Sequence, residues 1–93
     1  MKSQKKMFVR SPDIAWQNVD GKIVVVTPRT KKIHILSGCA ISIWDYLEQP
    51  QQIESIVEML CSEYEVDTQQ AEHDADNFIH DLLSKEIVKV YNT

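Results

Sequence analysis

The segment 31–47 constrains the fold most strongly, because its hydrophobic period changes from that of a strand to that of a helix with almost no loop between them. Apolar and polar residues alternate over most of residues 31–36, a pattern typical of a half-buried strand. From Ala40 onward the apolar residues recur at helical spacing. We therefore predict a strand followed directly by a helix that runs to about Glu48. Ser37 lies at the change, and we predict that its hydroxyl caps the first helix.

Strand patterns precede this segment. Two strand-like runs, residues 15–19 and 22–27, are joined by the dipeptide Asp20-Gly21. Both positions of a type I′ turn need positive φ, which Asp tolerates and Gly adopts freely, so the dipeptide predicts a β-hairpin. Pro28 and its neighbours are typical of another turn, which returns the third strand antiparallel to the second. The prediction is a three-stranded meander with its third strand at an edge.

Helical patterns follow it. The dipeptide Gln49-Pro50 ends the first helix, and Asp67 with Gln70 resembles a capping box for a third helix. The predicted apolar stripes are Ile53, Ile56, Val57, Leu60, Cys61 and Tyr64 in the second helix, and Ala71, Ala75, Phe78, Ile79, Leu82 and Leu83 in the third. Residues 87–91 are β-prone and are expected either to cover a core edge or to add a strand.

Together these elements predict an α+β fold of winged helix-turn-helix type, with a three-stranded antiparallel sheet followed by three helices. A chain of 93 residues with 43% hydrophobic composition is sufficient for one core. We expect one domain over residues 15–91 and a flexible basic arm over residues 1–14. No apolar run approaches the ~20 residues that span a bilayer, and the N-terminus lacks a signal pattern. We therefore expect a cytoplasmic protein without a membrane partner.

The net charge of −4 conceals an asymmetry along the chain. Residues 1–36 have a balance of +6 and residues 37–93 a balance of −10. The strands are therefore basic and the helices acidic. A surface polarised in this way suits a peptide better than a nucleic acid, which is bound by basic side chains on the reading helix.

Few residues are candidates for catalysis or metal binding. Cys39 and Cys61 are 22 positions apart, which matches neither a zinc motif nor a disulfide scaffold. His73 and His80, with Asp76 between them, share one polar face of the third helix and could bind a metal, but a solvated face is the simpler interpretation. No catalytic motif is present. We predict no enzyme, no cofactor and no metal.

Two tryptophans and the third strand complete the analysis. Trp44 lies on the apolar face of the first helix and is predicted to be core, whereas Trp16 could be core or an exposed anchor. The edge of the third strand has two interpretations. Lys31 and Lys32 could protect it from pairing, or the edge could accept an extended peptide through main-chain hydrogen bonds.

Residues 20–88 carry a series of motifs in a characteristic order and spacing. They are Ile35, Leu36, Ser37, Ala40, Ile43 and Trp44, then Ile56, Val57, Leu60, Glu63 and Tyr64, and finally Asp74, Phe78, Leu82, Ile87 and Val88. The series resembles the PqqD-like proteins, which are the recognition elements of pathways that modify ribosomally made peptides (RiPP recognition elements). Members of that family have the winged arrangement predicted above.

The resemblance implies a function and a site. The leader of a precursor peptide would add as a strand to the third strand, in a groove walled by the third helix. The implied peptide-binding residues are Lys31, Lys32, Ile33, His34, Ile35, Leu36, Ala75, Phe78, Ile79 and Leu82.

The resemblance also implies a partner. A short, separate chain of this family is similar to the recognition protein of lasso-peptide pathways, which delivers the leader to a cysteine protease, and we favour that branch. The alternatives are a quinone-cofactor pathway protein that serves a radical enzyme, a DNA-binding winged helix and a small metal-binding protein. A homodimer through the edge strand is also possible.

Overall fold

The computed structural model describes residues 6–91. In chain order its elements are β1 (Met7–Arg10), β2 (Ala15–Val19), β3 (Lys22–Thr27), β4 (Lys32–Leu36), α1 (Cys39–Tyr46), α2 (Ile53–Glu63), α3 (Thr68–Ser84) and β5 (Val88–Tyr91). β2, β3 and β4 form a three-stranded antiparallel sheet in that order, and β1 pairs with β5 in a second, two-stranded antiparallel sheet. The α+β class and the three helices are confirmed. Within residues 6–91 no helix is long and apolar enough to cross a membrane.

The hairpin between β2 and β3 is formed as the sequence predicts. Asp20 and Gly21 have φ of 53° and 78°, the positive values that a type I′ turn requires. β4 begins one residue later than predicted, because Lys31 has φ of 57° and belongs to the turn. Its N–H donates to the Thr27 carbonyl at 2.7 Å. The prediction that Lys31 is a strand residue is therefore wrong.

The first helix starts later than predicted. Gly38 is its N-cap, with φ of 65° and ψ of −139°, and no side chain caps the helix. The predicted cap by Ser37 is therefore wrong. Gly38 adopts the positive φ that connects β4 to α1, so the N-cap position falls on Gly38 and not on Ser37. α1 ends at Tyr46, shortly before the predicted boundary.

Strand β1 lies within the predicted N-terminal arm. Its residues pair antiparallel with β5, and Phe8 is buried and exchanges two backbone hydrogen bonds with Gln51 at 2.7 and 2.9 Å. The flexible arm predicted over residues 1–14 thus differs from the structure at Met7–Arg10, where burial of Phe8 and pairing with β5 order the chain. Residues 1–5 of that arm lie outside the described residues. The C-terminal tail adds a strand, one of its two predicted roles.

The core lies between the three-stranded sheet and the helices. Its largest fully buried side chains are Trp44, Ile23, Ile43, Leu47, Ile56, Ile79, Leu82, Ile87 and Val25. Asp67 caps α3, since its carboxylate accepts a hydrogen bond from the Gln70 N–H at 2.8 Å. In a complete capping box the Gln70 side chain would bond back to the Asp67 N–H, but its side-chain amide donates to the Asp74 carboxylate at 2.9 Å. Only half of the predicted capping box therefore forms.

Arg10 connects β1 to the rest of the fold. Its guanidinium carbon lies 4.9 Å from the ring centre of Trp16 and 4.5 Å from that of Trp44. Its Nε donates to the Trp44 carbonyl at 3.0 Å, and the two indoles meet edge to face with centroids 5.7 Å apart. Trp44 is fully buried, as predicted, while Trp16 is 44% exposed. Trp16 is thus the outer layer of this stack.

Candidate functional site: an open strand edge and its groove

The outer edge of β4 is open in the described part of the chain. β4 pairs with β3 on one side, and no described strand pairs with its other side, since β5 pairs with β1. An unpaired edge offers a row of main-chain N–H and C=O groups to another extended chain. The structure therefore has room for an added strand beside β4.

The register identifies the residues that offer those groups. In an antiparallel ladder the N–H and C=O of one residue point to the same side, and successive residues alternate sides. The two-residue turn makes Val19 and Lys22 a hydrogen-bonded pair, so every second residue of β3 from Lys22 bonds to β2 and the intervening residues bond to β4. Their partners are Lys32, His34 and Leu36. The main-chain groups of Ile33 and Ile35 consequently point to the open edge.

From the sequence one would expect the apolar Ile33 and Ile35 of β4 to face the core, but their side chains face solvent. Ile33 and Ile35 are 68% and 64% exposed on the outer face of the sheet, whereas His34 is half-buried and Leu36 is buried. The strand is half-buried as predicted, but its buried side carries His34 and Leu36. The isoleucines therefore contribute main-chain groups to the edge rather than side chains to the core.

A groove of about 460 Å³ runs between β4 and α3. It is lined by Ile33, His34, Ile35, Leu36, Ser37, Ala40, Phe78, Asp81, Leu82, Lys85 and Ile87. The lining holds apolar side chains, among them Leu36 and Phe78, and polar ones, among them His34 with the nearby Lys85. We call the part at Leu36 the apolar end and the part at His34 the polar end. The open edge and the groove are adjacent, so an added strand would place alternate side chains inside the groove.

The structure brings together six of the ten predicted site residues. Ile33, His34, Ile35, Leu36, Phe78 and Leu82 line the groove. Ala75 and Ile79, which the resemblance also placed in the helix wall, are fully buried in the core and are not among the lining residues of this groove. Lys31 and Lys32 lie outside the lining as well.

Sequence reasoning missed two polar residues on the groove side of α3. Asp81 and Lys85 follow Phe78 at i+3 and i+7, so they share its helix face. The apolar stripe drew attention to the neighbouring face, which is the one buried in the core. The spacing from Phe78 was the signal that could have found them.

The polar end of the groove is organised by hydrogen bonds and an ion pair. Lys85 Nζ lies 2.9 Å from an Asp81 carboxylate oxygen, and His34 Nε2 lies 3.5 Å from the Thr27 hydroxyl. Burial lowers the pKa of His34 below its ordinary value, the positive charges of Lys85 and Lys32 lower it further, and Asp81 opposes them. Together these effects favour the neutral form of His34.

A second, larger depression of about 620 Å³ lies between α2 and α3. It is lined by Ile53, Glu54, Val57, Glu58, Gln69, Glu72, His73 and Asp76. It contains no strand edge. In this region His73 hydrogen-bonds with Asn77 at 3.0 Å, and His80 with the Asp76 carbonyl at 2.8 Å. Among the described residues no group of three or more His, Cys, Asp or Glu could hold a metal ion.

Comparison with known families and structures gives a consistent result. A family model described as "Coenzyme PQQ synthesis protein D (PqqD)" matches residues 22–88. A solved structure described as "TbiB1 in Complex with the TbiA(beta) Leader Peptide" is similar, with a TM-score of 0.81, 28% identity, and coverage of 91% of this chain and 99% of that one. No curated protein matches.

A second solved structure has the same fold. It is described as "Lasso peptide synthetase B1 complexed with the leader peptide" and has a TM-score of 0.79 at 24% identity, with coverage of 88% of this chain and 96% of that one. Each match thus covers nearly the whole length of the other chain.

Proposed function

The chain belongs to the PqqD family, and from that premise we propose that it binds the leader segment of a ribosomally made precursor peptide as an added strand on β4. The observation that carries the proposal is the open edge at Ile33 and Ile35 beside a groove of about 460 Å³. Main-chain hydrogen bonds would fix the register of the ligand, and the groove would select its side chains. Two similar structures are described as leader-peptide complexes, which supports this assignment.

The bound leader is delivered to a separate processing enzyme, and the chain itself does no chemistry. We favour the lasso-peptide branch, in which the partner is a cysteine protease, because one of the similar structures is described as "Lasso peptide synthetase B1". A quinone-cofactor pathway with a radical enzyme is the alternative. We also propose that the fold is of winged helix-turn-helix type, in which the β2–β4 sheet is the wing.

DNA binding is the weaker candidate. Helices α2 and α3 contain no Lys or Arg, and Lys85 only caps the end of α3. A helix that enters a DNA groove needs cations to neutralise phosphates. The acidic helices therefore favour a peptide ligand over a nucleic acid.

The expected affinity follows from the groove. Burying one apolar leader side chain beside Leu36 and Phe78 contributes ~1.5–3 kcal/mol. We expect a Kd of roughly micromolar, which corresponds to about −8 kcal/mol. Because association itself costs at least ~4 kcal/mol, the main-chain hydrogen bonds along the edge must supply at least half of the favourable free energy, beside two such side chains. A second copy of the chain could pair with the same edge, and a homodimer would then compete with the leader.

Fluorescence titration tests the proposal. The labelled leader of the precursor encoded beside this gene should bind saturably, and a scrambled leader of the same composition should not. Phe78→Ala should weaken binding about tenfold, because it removes an apolar wall of the groove. Val19→Ala, a matched control at an exposed apolar residue outside the groove, should leave the affinity unchanged. Absence of saturable binding, or equal binding of the scrambled leader, would contradict the proposal.

A further inference from the structure

The groove beside β4 has two chemically different ends. Its apolar lining side chains include Leu36, Ala40, Phe78 and Leu82. Its polar ones include His34, with Asp81 and Lys85 near it. The apolar end suits an apolar ligand side chain, whereas the polar end suits a polar or charged one. The chemistry of the two ends therefore indicates which side chains a ligand carries.

The spacing of the two ends matches the repeat of a strand. Leu36 and His34 are two residues apart on β4, and both side chains face the groove. An added strand also directs every second side chain inward, with successive inward side chains roughly 6–7 Å apart. A ligand residue opposite Leu36 therefore meets the apolar end, and the ligand residue two positions away meets His34.

The charge of the polar end favours one class of ligand side chain. Lys32 on β4 and Lys85 on α3 are close enough to lower the pKa of His34, and Asp81 is the acid that opposes them. The Thr27 hydroxyl from β3, which carries no charge, lies 3.5 Å from His34 Nε2. Asp81 pairs with Lys85 at 2.9 Å and offsets its charge, so the positive balance comes from Lys32, which is two residues from His34 on the same face of β4, just outside the groove lining. A ligand carboxylate would complete this set, whereas a ligand cation would be repelled.

From this geometry, and resting on the proposed peptide-binding function, we propose that the ligand strand carries an aspartate or glutamate opposite His34, two residues from the apolar side chain opposite Leu36. The Lys85 ammonium has three N–H donors, so it binds the ligand carboxylate while it keeps its ion pair with Asp81, and His34 donates a hydrogen bond to the same carboxylate. Selection in the groove is therefore by an acidic and an apolar residue at i and i+2, rather than by apolar contacts alone.

A display library of random twelve-residue peptides tests the inference with ligands that the protein itself selects. Peptides selected on the protein and rejected by the Ile35→Pro variant should be enriched in an acidic residue two positions from a large apolar one. For a synthetic peptide of that kind, replacing its Asp by Asn should weaken binding about tenfold. Lys85→Met should reduce this Asp-to-Asn difference to about twofold or less. Lys89→Met, which removes a cation on β5 outside the groove, should preserve it.

The pH dependence gives a second readout. A ligand carboxylate raises the pKa of His34 in the complex above its lowered value in the free protein, so binding takes up a proton. The affinity for the Asp peptide should therefore rise as the pH falls from 8 to 6, and His34→Gln should flatten that slope. The Asn peptide should show no slope with either protein.

The outcomes separate the two proposals. Selected peptides that depend on Ile35 but show no acidic preference would overturn this inference and leave the proposed function intact. A library that yields no edge-dependent peptide at all would overturn both. An Asp-to-Asn difference that persists unchanged in Lys85→Met and His34→Gln would also overturn the inference, since the carboxylate would then be bound elsewhere.

Discussion

Replacing Ile35 by proline is expected to raise the Kd for the leader peptide by about a hundredfold or more while the protein stays folded. The Ile35 N–H points to the open edge of β4, so its loss removes no hydrogen bond within the sheet. In the complex, the same change removes one main-chain hydrogen bond and places the proline ring against the added strand. Fluorescence titration measures the affinity, and urea denaturation followed by circular dichroism measures the free energy of unfolding.

His34→Pro is the matched control one residue away. Its N–H bonds inward to β3, so proline there breaks the sheet and leaves the Val25 carbonyl unpaired in the core, at a cost of about 1–3 kcal/mol before any steric clash. The pair should thus separate binding from stability. A large loss of stability in Ile35→Pro, or undiminished leader binding by that variant, would contradict the assignment of the edge.

The largest effect on stability is expected from Trp44→Ala. The side chain is fully buried, it packs against Trp16 at 5.7 Å, and its ring lies 4.5 Å from the Arg10 guanidinium carbon. Removing it leaves a cavity where α1 and the β1 segment meet. We expect a loss of roughly 3–5 kcal/mol in the free energy of unfolding, a large fraction of the total for a domain of this size.

Trp16→Ala is the matched control for that change. Trp16 is 44% exposed, so its removal opens no closed cavity and should cost about 1–2 kcal/mol through the lost contacts with Arg10 and Trp44. Circular dichroism is the suitable probe, because both variants alter tryptophan fluorescence. Equal costs for the two variants would show that Trp44 does not anchor the core as its burial indicates.

Much of this fold could be predicted from local patterns. The Asp20-Gly21 dipeptide predicts the hairpin because a type I′ turn requires positive φ at both positions, and the structure has it. The stripes of α2 and α3 identify the helices because burial of one face imposes their period. The cap by Asp67 was likewise visible in the sequence. These features depend on residues close together in the chain.

The elements that were missed depend on contacts between distant residues. β1 is ordered by pairing with β5, at the other end of the chain, and no local pattern in Met7–Arg10 specifies that partner. The start of α1 is set by the positive φ of Gly38, whereas Ser37 offered a plausible cap one residue earlier. Local chemistry alone could not choose between these two positions.

The lining of the groove could be predicted only in part, for the same reason. That β4 lies at an edge follows from the order of the turns, but the direction in which its main chain points follows from the register counted from the hairpin. The rotation of α3 decides that Phe78 lines the groove and that Ala75 and Ile79 lie in the core. The spacing of apolar residues in the sequence identifies the buried stripe of α3, but it does not show which side of that stripe faces β4.

Amide hydrogen exchange by NMR tests the open edge most directly. In the free protein the amides of Ile33 and Ile35 should exchange rapidly, whereas the amide of His34 between them should be protected by its bond to β3. Saturation with the leader peptide should slow exchange at Ile33 and Ile35 by about a hundredfold and leave His34 protected as before. Protection of Ile33 and Ile35 already in the free protein, or their continued rapid exchange in the saturated complex, would contradict strand addition at β4.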